Sequence, residues 1–122
     1  MKKILIVEDE RSLLEALVRK FSSEGFTVFE AKNGEEGLEI ALKEHPDLIL
    51  LDIVMPKMDG ITMLHKLRED KWGKDAQVVM LSNLSDAGKV QEATSEGAYD
   101  FLVKSDWHID DVVKKAKEKL KI

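Results

Sequence analysis

Lys2-Lys3-Ile4-Leu5-Ile6-Val7-Glu8-Asp9 and Asp47-Leu48-Ile49-Leu50-Leu51-Asp52 are built alike: a short run of aliphatic residues that stops at acid. Runs of four such residues, without polar alternation, suit strands buried on both faces of a parallel sheet. In open parallel sheets, ligands gather beyond the carboxyl ends of the strands, where the strand order reverses. Two strand ends of this kind bring Glu8, Asp9 and Asp52 into one crevice. Carboxylates ~5 Å apart repel by about 3 kcal/mol at an effective dielectric near 20. Such a cluster calls for a cation, and oxygen ligands select a hard divalent ion, Mg²⁺ above all.

Apolar runs and amphipathic segments alternate along the rest of the chain. Strands are expected at about 3–7, 26–31, 47–51, 77–81 and 99–103. The first helix has Leu13, Leu14, Leu17 and Phe21 on one face, and Gly25 ends it. Asn33-Gly34 opens a second helix, with Glu36 placed for a capping box and Leu38, Ala41 and Leu42 as the buried stripe. Pro56 and Gly60 punctuate a loop before a third helix carrying Ile61, Leu64 and Leu67. A fourth helical segment, about 86–96, contains Gly88 and has Val90 as its one large aliphatic residue. The last helix shows Ile109, Val112, Val113, Ala116 and Leu120 at helical spacing. Five β-α units with short connections predict an α/β fold, a doubly wound five-stranded parallel sheet with helices on both faces.

Composition narrows the function. The 122 residues suffice for one domain, taken as 1–122, with 43% hydrophobic and 35% charged residues. A net charge of −5 argues against nucleic acid binding through a basic surface. The absence of cysteine excludes a disulfide, a thiolate zinc site or a Cys nucleophile. No apolar run approaches a membrane span, and Glu8, Asp9 and Glu10 interrupt any signal-peptide core, so a cytoplasmic location is expected. His45, His65 and His108 lack ligand spacing and read as surface or capping residues. Trp72 and Trp107 read as packing anchors.

The strand ends form one set: Glu8-Asp9, Asp52, Ser82 and Lys104. With Mg²⁺ their formal charge is zero, which leaves the crevice ready for an anion. Lys104 would pair with Asp52 at rest and with phosphoryl oxygens afterwards, and Ser82 would donate to the same group. A carboxylate beside a metal and a cation can attack phosphorus. The expected reaction is phosphoryl transfer onto Asp52, governed by positioning and charge neutralisation.

These residues, with Met55-Pro56, Met58-Asp59-Gly60, Gly97-Ala98 and Phe101 in this order, resemble the receiver domain of two-component response regulators, in its chemotaxis-regulator-like single-domain form. The resemblance covers essentially the whole chain. It implies a flavodoxin-like fold with strand order 2-1-3-4-5. It makes Asp52 the phosphoacceptor, and gives Mg²⁺ direct ligands from Asp9, Asp52 and the Val54 carbonyl, with Glu8 acting through water. Ser82 and Phe101 match the switch pair and Lys104 the phosphate-binding lysine. The implied donor is a phosphohistidine on a sensor histidine kinase or phosphotransfer protein. The implied output is a protein bound at the face of the fourth helical segment, fifth strand and last helix, by a monomer or phosphorylation-linked dimer. Such domains are regulators rather than conventional enzymes, although they catalyse their own phosphotransfer and slow dephosphorylation. Three positions depart from the family pattern: Ser105 replaces the usual proline after Lys104, Asn83 replaces a small residue after Ser82, and Phe101 lacks a hydroxyl.

Rival readings are weaker. Glu8-Asp9-Glu10 would repel the phosphate of a flavin carrier, and Val54 stands where an aspartate-nucleophile phosphatase has a second acid. A receiver-like interaction module that acts without phosphorylation remains open. The chain ends shortly after the last helix, which fits either a stand-alone regulator or a receiver excised from a longer one.

Overall fold

The computed structural model describes residues 2–53, 55, 57–82, 91, 95, 100–103 and 108–122, and for residues 82, 100, 101 and 103 the backbone only. Five strands, β1 (Lys3–Val7), β2 (Thr27–Ala31), β3 (Leu48–Asp52), β4 (Val78–Ser82) and β5 (Asp100–Val103), form one parallel sheet in the order β2-β1-β3-β4-β5. The order reverses at the β1/β3 junction, as a doubly wound sheet requires.

Strand parity sorts the core into two layers. Odd residues Leu5, Val7, Ile49 and Leu51 join Met63, Leu64 and Leu67 of α3 (Gly60–Glu69) and Ala41 of α2 (Gly34–Glu44). Even residues Ile4, Ile6, Leu48 and Leu50 join Leu14, Leu17 and Phe21 of α1 (Arg11–Ser23). The C-terminal helix (Ile109–Leu120) completes that second layer with Val112, Val113 and Ala116. β3 is buried at every position, which explains why its sequence shows no alternation.

Helix ends follow local chemistry. After α1, Gly25 takes φ +92°. Phe26 N–H then donates to Phe21 O and Gly25 N–H to Ser22 O, both at 3.1 Å. This is a Schellman cap, and the Phe21 and Phe26 rings pack edge to face across it, 5.2 Å apart. Phe26 thus belongs to the cap, so β2 starts one residue later than its apolar pattern suggests. Asn33 caps α2 by accepting from Glu36 N–H at 3.0 Å. Asp59 caps α3 by accepting from Thr62 N–H at 2.8 Å.

Other boundaries move by one residue. Asp47 lies outside β3, where its carboxylate accepts from Lys3 N–H at 2.8 Å. Gln77 precedes β4, with its carbonyl accepting from Ile49 N–H. The stripe of α2 also differs from expectation. Its buried residues are Gly34, Gly37 and Ala41, Leu38 is half-buried and Leu42 is 37% exposed. Small residues bring this helix close to the sheet, which turns Leu42 outward. A 3-10 turn (Gly73–Asp75) without an apolar signature follows α3. Asp70 holds its start by accepting from the N–H groups of Trp72 and Gly73, each at 2.9 Å. Trp72 anchors that corner by stacking on His45, which has left-handed backbone at the end of α2. Residues 91 and 95 are helical within the fourth segment; the rest of 86–96, Tyr99, Lys104 and Ser105 lie outside the described residues.

Candidate phosphoacceptor and metal site

The acids meet because β1 and β3 are neighbours in matched register. Val7 pairs with Leu51, so Glu8 and Asp52 leave the sheet at the same level. Both also continue the even parity of their strands. One oxygen each of Glu8, Asp9 and Asp52 lie within 4.8 Å of one another. Glu8 is fully buried and Asp52 4% exposed, whereas Asp9 faces solvent. The pocket therefore has a dry floor and one wet wall.

Backbone contacts fix this arrangement. Glu8 N–H donates to Ala31 O at 3.1 Å, tying the end of β1 to the end of β2. Glu8 Oε2 accepts from Glu10 N–H at 2.9 Å, which folds the chain back over the buried carboxylate. The turn after Asp52 closes when Gly60 N–H donates to Ile53 O at 2.8 Å. A Cβ at Gly60 would collide with the Asp52 carbonyl, so α3 can begin against the strand end only through glycine. Lys57, in the same turn, has a left-handed φ of 66°. Met55, in the same turn, is buried in the core layer of α2 and α3.

Three carboxylates from two strand ends, two of them removed from water, fit a hard divalent cation. Without one, each close pair repels by about 3 kcal/mol at an effective dielectric near 20. The donor set is all oxygen, which suits Mg²⁺ and excludes a soft thiophilic metal.

The other expected residues are located by their backbone, or not described. Ser82 ends β4 and pairs with Val103, one residue beyond the Asp52–Leu81 pair. Its backbone thus reaches the same sheet edge as the acids. Phe101 lies within β5, paired with Met80. Val54 and Lys104 lie outside the described residues, so the structure brings together Glu8, Asp9 and Asp52 and leaves the rest of the set to its place in the chain. Sequence reasoning missed the backbone partners, Ala31 O and Glu10 N–H, because any residue supplies them. It used Gly60 as punctuation and as part of the Met58-Asp59-Gly60 motif, not as a close approach to the Asp52 carbonyl; a glycine at the first position of a helix, eight residues after Asp52, was the available signal.

A parallel sheet in this order, with an acid trio at the reversal, defines a flavodoxin-like doubly wound domain whose strand-end crevice could hold a metal ion. Residues 4–117 match the model of the response regulator receiver domain, and the chain belongs to that family. It is 39% identical over 103 residues to the probable transcriptional regulator ycf27 of Porphyridium aerugineum, covering 84% of this chain and 42% of that protein. It is 34% identical over 111 residues to sporulation initiation phosphotransferase F of Bacillus subtilis, covering 91% and 87% of the two chains. A chain in the crystal structure of the CheX–CheY–BeF3–Mg complex from Borrelia burgdorferi superposes with a TM-score of 0.84 at 34% identity, over 96% of this chain and 87% of that one. The chain spans about two-fifths of the ycf27 protein, so only the receiver portion of that relative is shared.

Proposed function

We propose that this protein receives a phosphoryl group on Asp52 from a phosphohistidine donor, in a Mg²⁺-dependent reaction, and passes the signal on by protein contact. The observation that carries this reading is the clustering of Glu8, Asp9 and Asp52 within 4.8 Å at the C-terminal edge of the sheet. Glu8, Asp9, Asp52 and the Val54 carbonyl would hold the ion. Mg²⁺, when bound, neutralises the carboxylates and the approaching phosphoryl oxygens.

A carboxylate oxygen of Asp52 attacks phosphorus as the donor's P–N bond breaks. The electron pair of that bond returns to the imidazole, whose nitrogen takes up a proton. The near-complete burial of Asp52 limits water at the reacting centre. Ser82, the last residue of β4, and Lys104, which follows β5 in the sequence, would supply a hydroxyl and an ammonium for the added oxygens. The phosphoryl donor is a sensor histidine kinase or a phosphotransfer protein, and the output protein binds the face of the segment 86–96, β5 and the C-terminal helix.

Acetyl phosphate should label the wild-type chain only with a divalent ion present, and Asp52→Asn should abolish labelling. Labelling that survives the substitution, or survives a chelator, overturns the assignment. A chain that never labels but still binds its partner would instead be an interaction module that acts without phosphorylation.

A further inference from the structure

The turn after Asp52 rests on α2. Gly34 N–H, the first of the helix, donates to Met58 O at 3.0 Å, so the turn supplies a partner that the helix itself lacks. The fit depends on the absence of a side chain. A Cβ at Gly34 would overlap the Met58 carbonyl oxygen and lie 2.9 Å from the Met58 carbonyl carbon and Cβ. One turn further along the same face, a Cβ at Gly37 would lie 2.9 Å from both Val7 Cγ2 and Met63 Sδ. Val7 directly precedes Glu8. The bare N-terminal face of α2 thus touches the end of β1 and the turn that follows β3, which are the two segments that carry the acids.

We propose that Gly34 is a positioning residue for the phosphoacceptor site: its missing side chain seats the turn on α2 and so fixes Asp52 relative to Glu8 and Asp9. The inference rests on the functional reading above for its consequence, and on the Gly34–Met58 contact for its geometry. A Cβ at Gly34 must push the Met58 carbonyl away, because a backbone atom cannot rotate aside as a side chain does. The displaced turn is closed on Asp52 by the Gly60–Ile53 hydrogen bond, so the strand end moves with it.

Gly73 provides the control. A Cβ there would overlap Leu67 O just as tightly, but in the 3-10 turn ahead of β4, at the opposite edge of the sheet. Gly34→Ala and Gly73→Ala should both lower the melting temperature. Measured where each variant is folded, only Gly34→Ala should weaken Mg²⁺ binding by calorimetry, by about tenfold or more, as expected when a support for metal ligands is removed. It should also speed amide exchange at Glu10 and Gly60 without metal. Wild-type Mg²⁺ affinity and exchange in Gly34→Ala, or equal losses in Gly73→Ala, would overturn the proposal. If Gly34→Ala does not fold, Met58→Gly frees the turn without adding an atom to α2 and is read the same way. A wild-type chain that binds no Mg²⁺ would defeat the functional reading, and the amide rates would then decide the positioning role alone.

Discussion

Asp9 stands at the open side of a pocket whose floor is Glu8 and Asp52. Its charge opposes theirs in the metal-free protein and, in the proposed function, would join them in holding a cation. The two effects separate in one variant. Asp9→Asn should raise the melting temperature without metal by a few degrees: Asp9 faces solvent, where screening by water cuts the repulsion to about 1 kcal/mol, and that shifts a domain of this size by about 3–6 °C. The same variant should lose most of the stabilisation that Mg²⁺ gives the wild type, because ligand linkage depends on affinity. Thermal melts of both proteins with and without Mg²⁺ test the pair of outcomes, and a lower metal-free melting temperature contradicts the repulsion. The lifetime of the phosphoryl group also belongs to single residues. Hydrolysis needs a water aligned behind phosphorus, and a polar side chain nearby orients it. Val54 and Leu84, two residues after Asp52 and Ser82, offer no such group. Slow self-dephosphorylation is therefore expected, and Val54→Asn or Leu84→Glu should speed it by about tenfold, less than full general acid–base catalysis supplies because the new group only orients the water. Unchanged decay of labelled protein in both variants would contradict this account.

The elements were legible where one physical signal dominates. β1 and β3 announce themselves because burial on both faces leaves only aliphatic residues, and the acids at their ends mark where burial stops. The C-terminal helix and α1 show their buried faces at helical spacing. α2 was legible in position, through Asn33 and Glu36, but not in orientation. Its buried face is Gly34, Gly37 and Ala41, which carry almost no hydrophobic signal, and so Leu42 was assigned inward. Close approach of backbones leaves its trace in missing side chains, which periodicity does not count. The strand starts slipped by one because Phe26 belongs to the Schellman cap of α1, and because the Asp47 carboxylate accepts from Lys3 N–H just ahead of β3. The site was legible as carboxylates and illegible as the contacts that aim them. The output face is also a matter of elements. The proposed phosphorylation of Asp52 would add charge and acceptor oxygens at the edge where the Ser82 backbone ends β4. The proposed output face includes 86–96, whose sequence holds Gly88 and one large aliphatic residue, Val90. With Mg²⁺ and a phosphoryl mimic, amide protection should change across residues 82–104 more than across 33–43. Ser82→Ala should blunt that change while Asp52 is still labelled. Larger changes in 33–43 would move the output face to the second helix.

At the scale of the whole molecule, a charge cluster joins α1 to the C-terminal helix across the even-parity layer. Lys20 Nζ lies 3.0 Å from Asp110 and 3.7 Å from Glu24, and Lys117 Nζ lies 2.7 Å from Glu24. The hydrogen bond and charge of Lys117 hold the Glu24 carboxyl below its ordinary value, and Asp110 raises Lys20 above its own. The signs set the window. Glu24 contributes stability above the unfolded carboxylate value and loses it as pH falls through the lowered one. Lys20 contributes below the unfolded lysine value and loses it as pH rises through the raised one. Neutral pH lies inside both limits. Lys117→Met should therefore lower the melting temperature slightly at neutral pH and low salt. The difference should vanish in acid below the carboxylate range and shrink in 1 M salt, where the screening length is about 3 Å. A difference that persists in both conditions would assign the effect to packing of the lysine stem.

Matched strand register gives the molecule a counting rule. Val7 faces Leu51, and Glu8 and Asp52 share the parity of Ile4 and Leu48. Each carboxylate is thus placed by a whole number of residues from the far edge of the sheet. One residue inserted within β1 or β3 would exchange the two layers of core and turn an acid to the wrong side of the sheet. The same insertion between Glu44 and Asp47 would fall outside the counted stretch. Length changes should accordingly be accepted at the edge remote from the acids and refused inside the strands, so a map of tolerated insertions would trace this ruler without any measurement of chemistry.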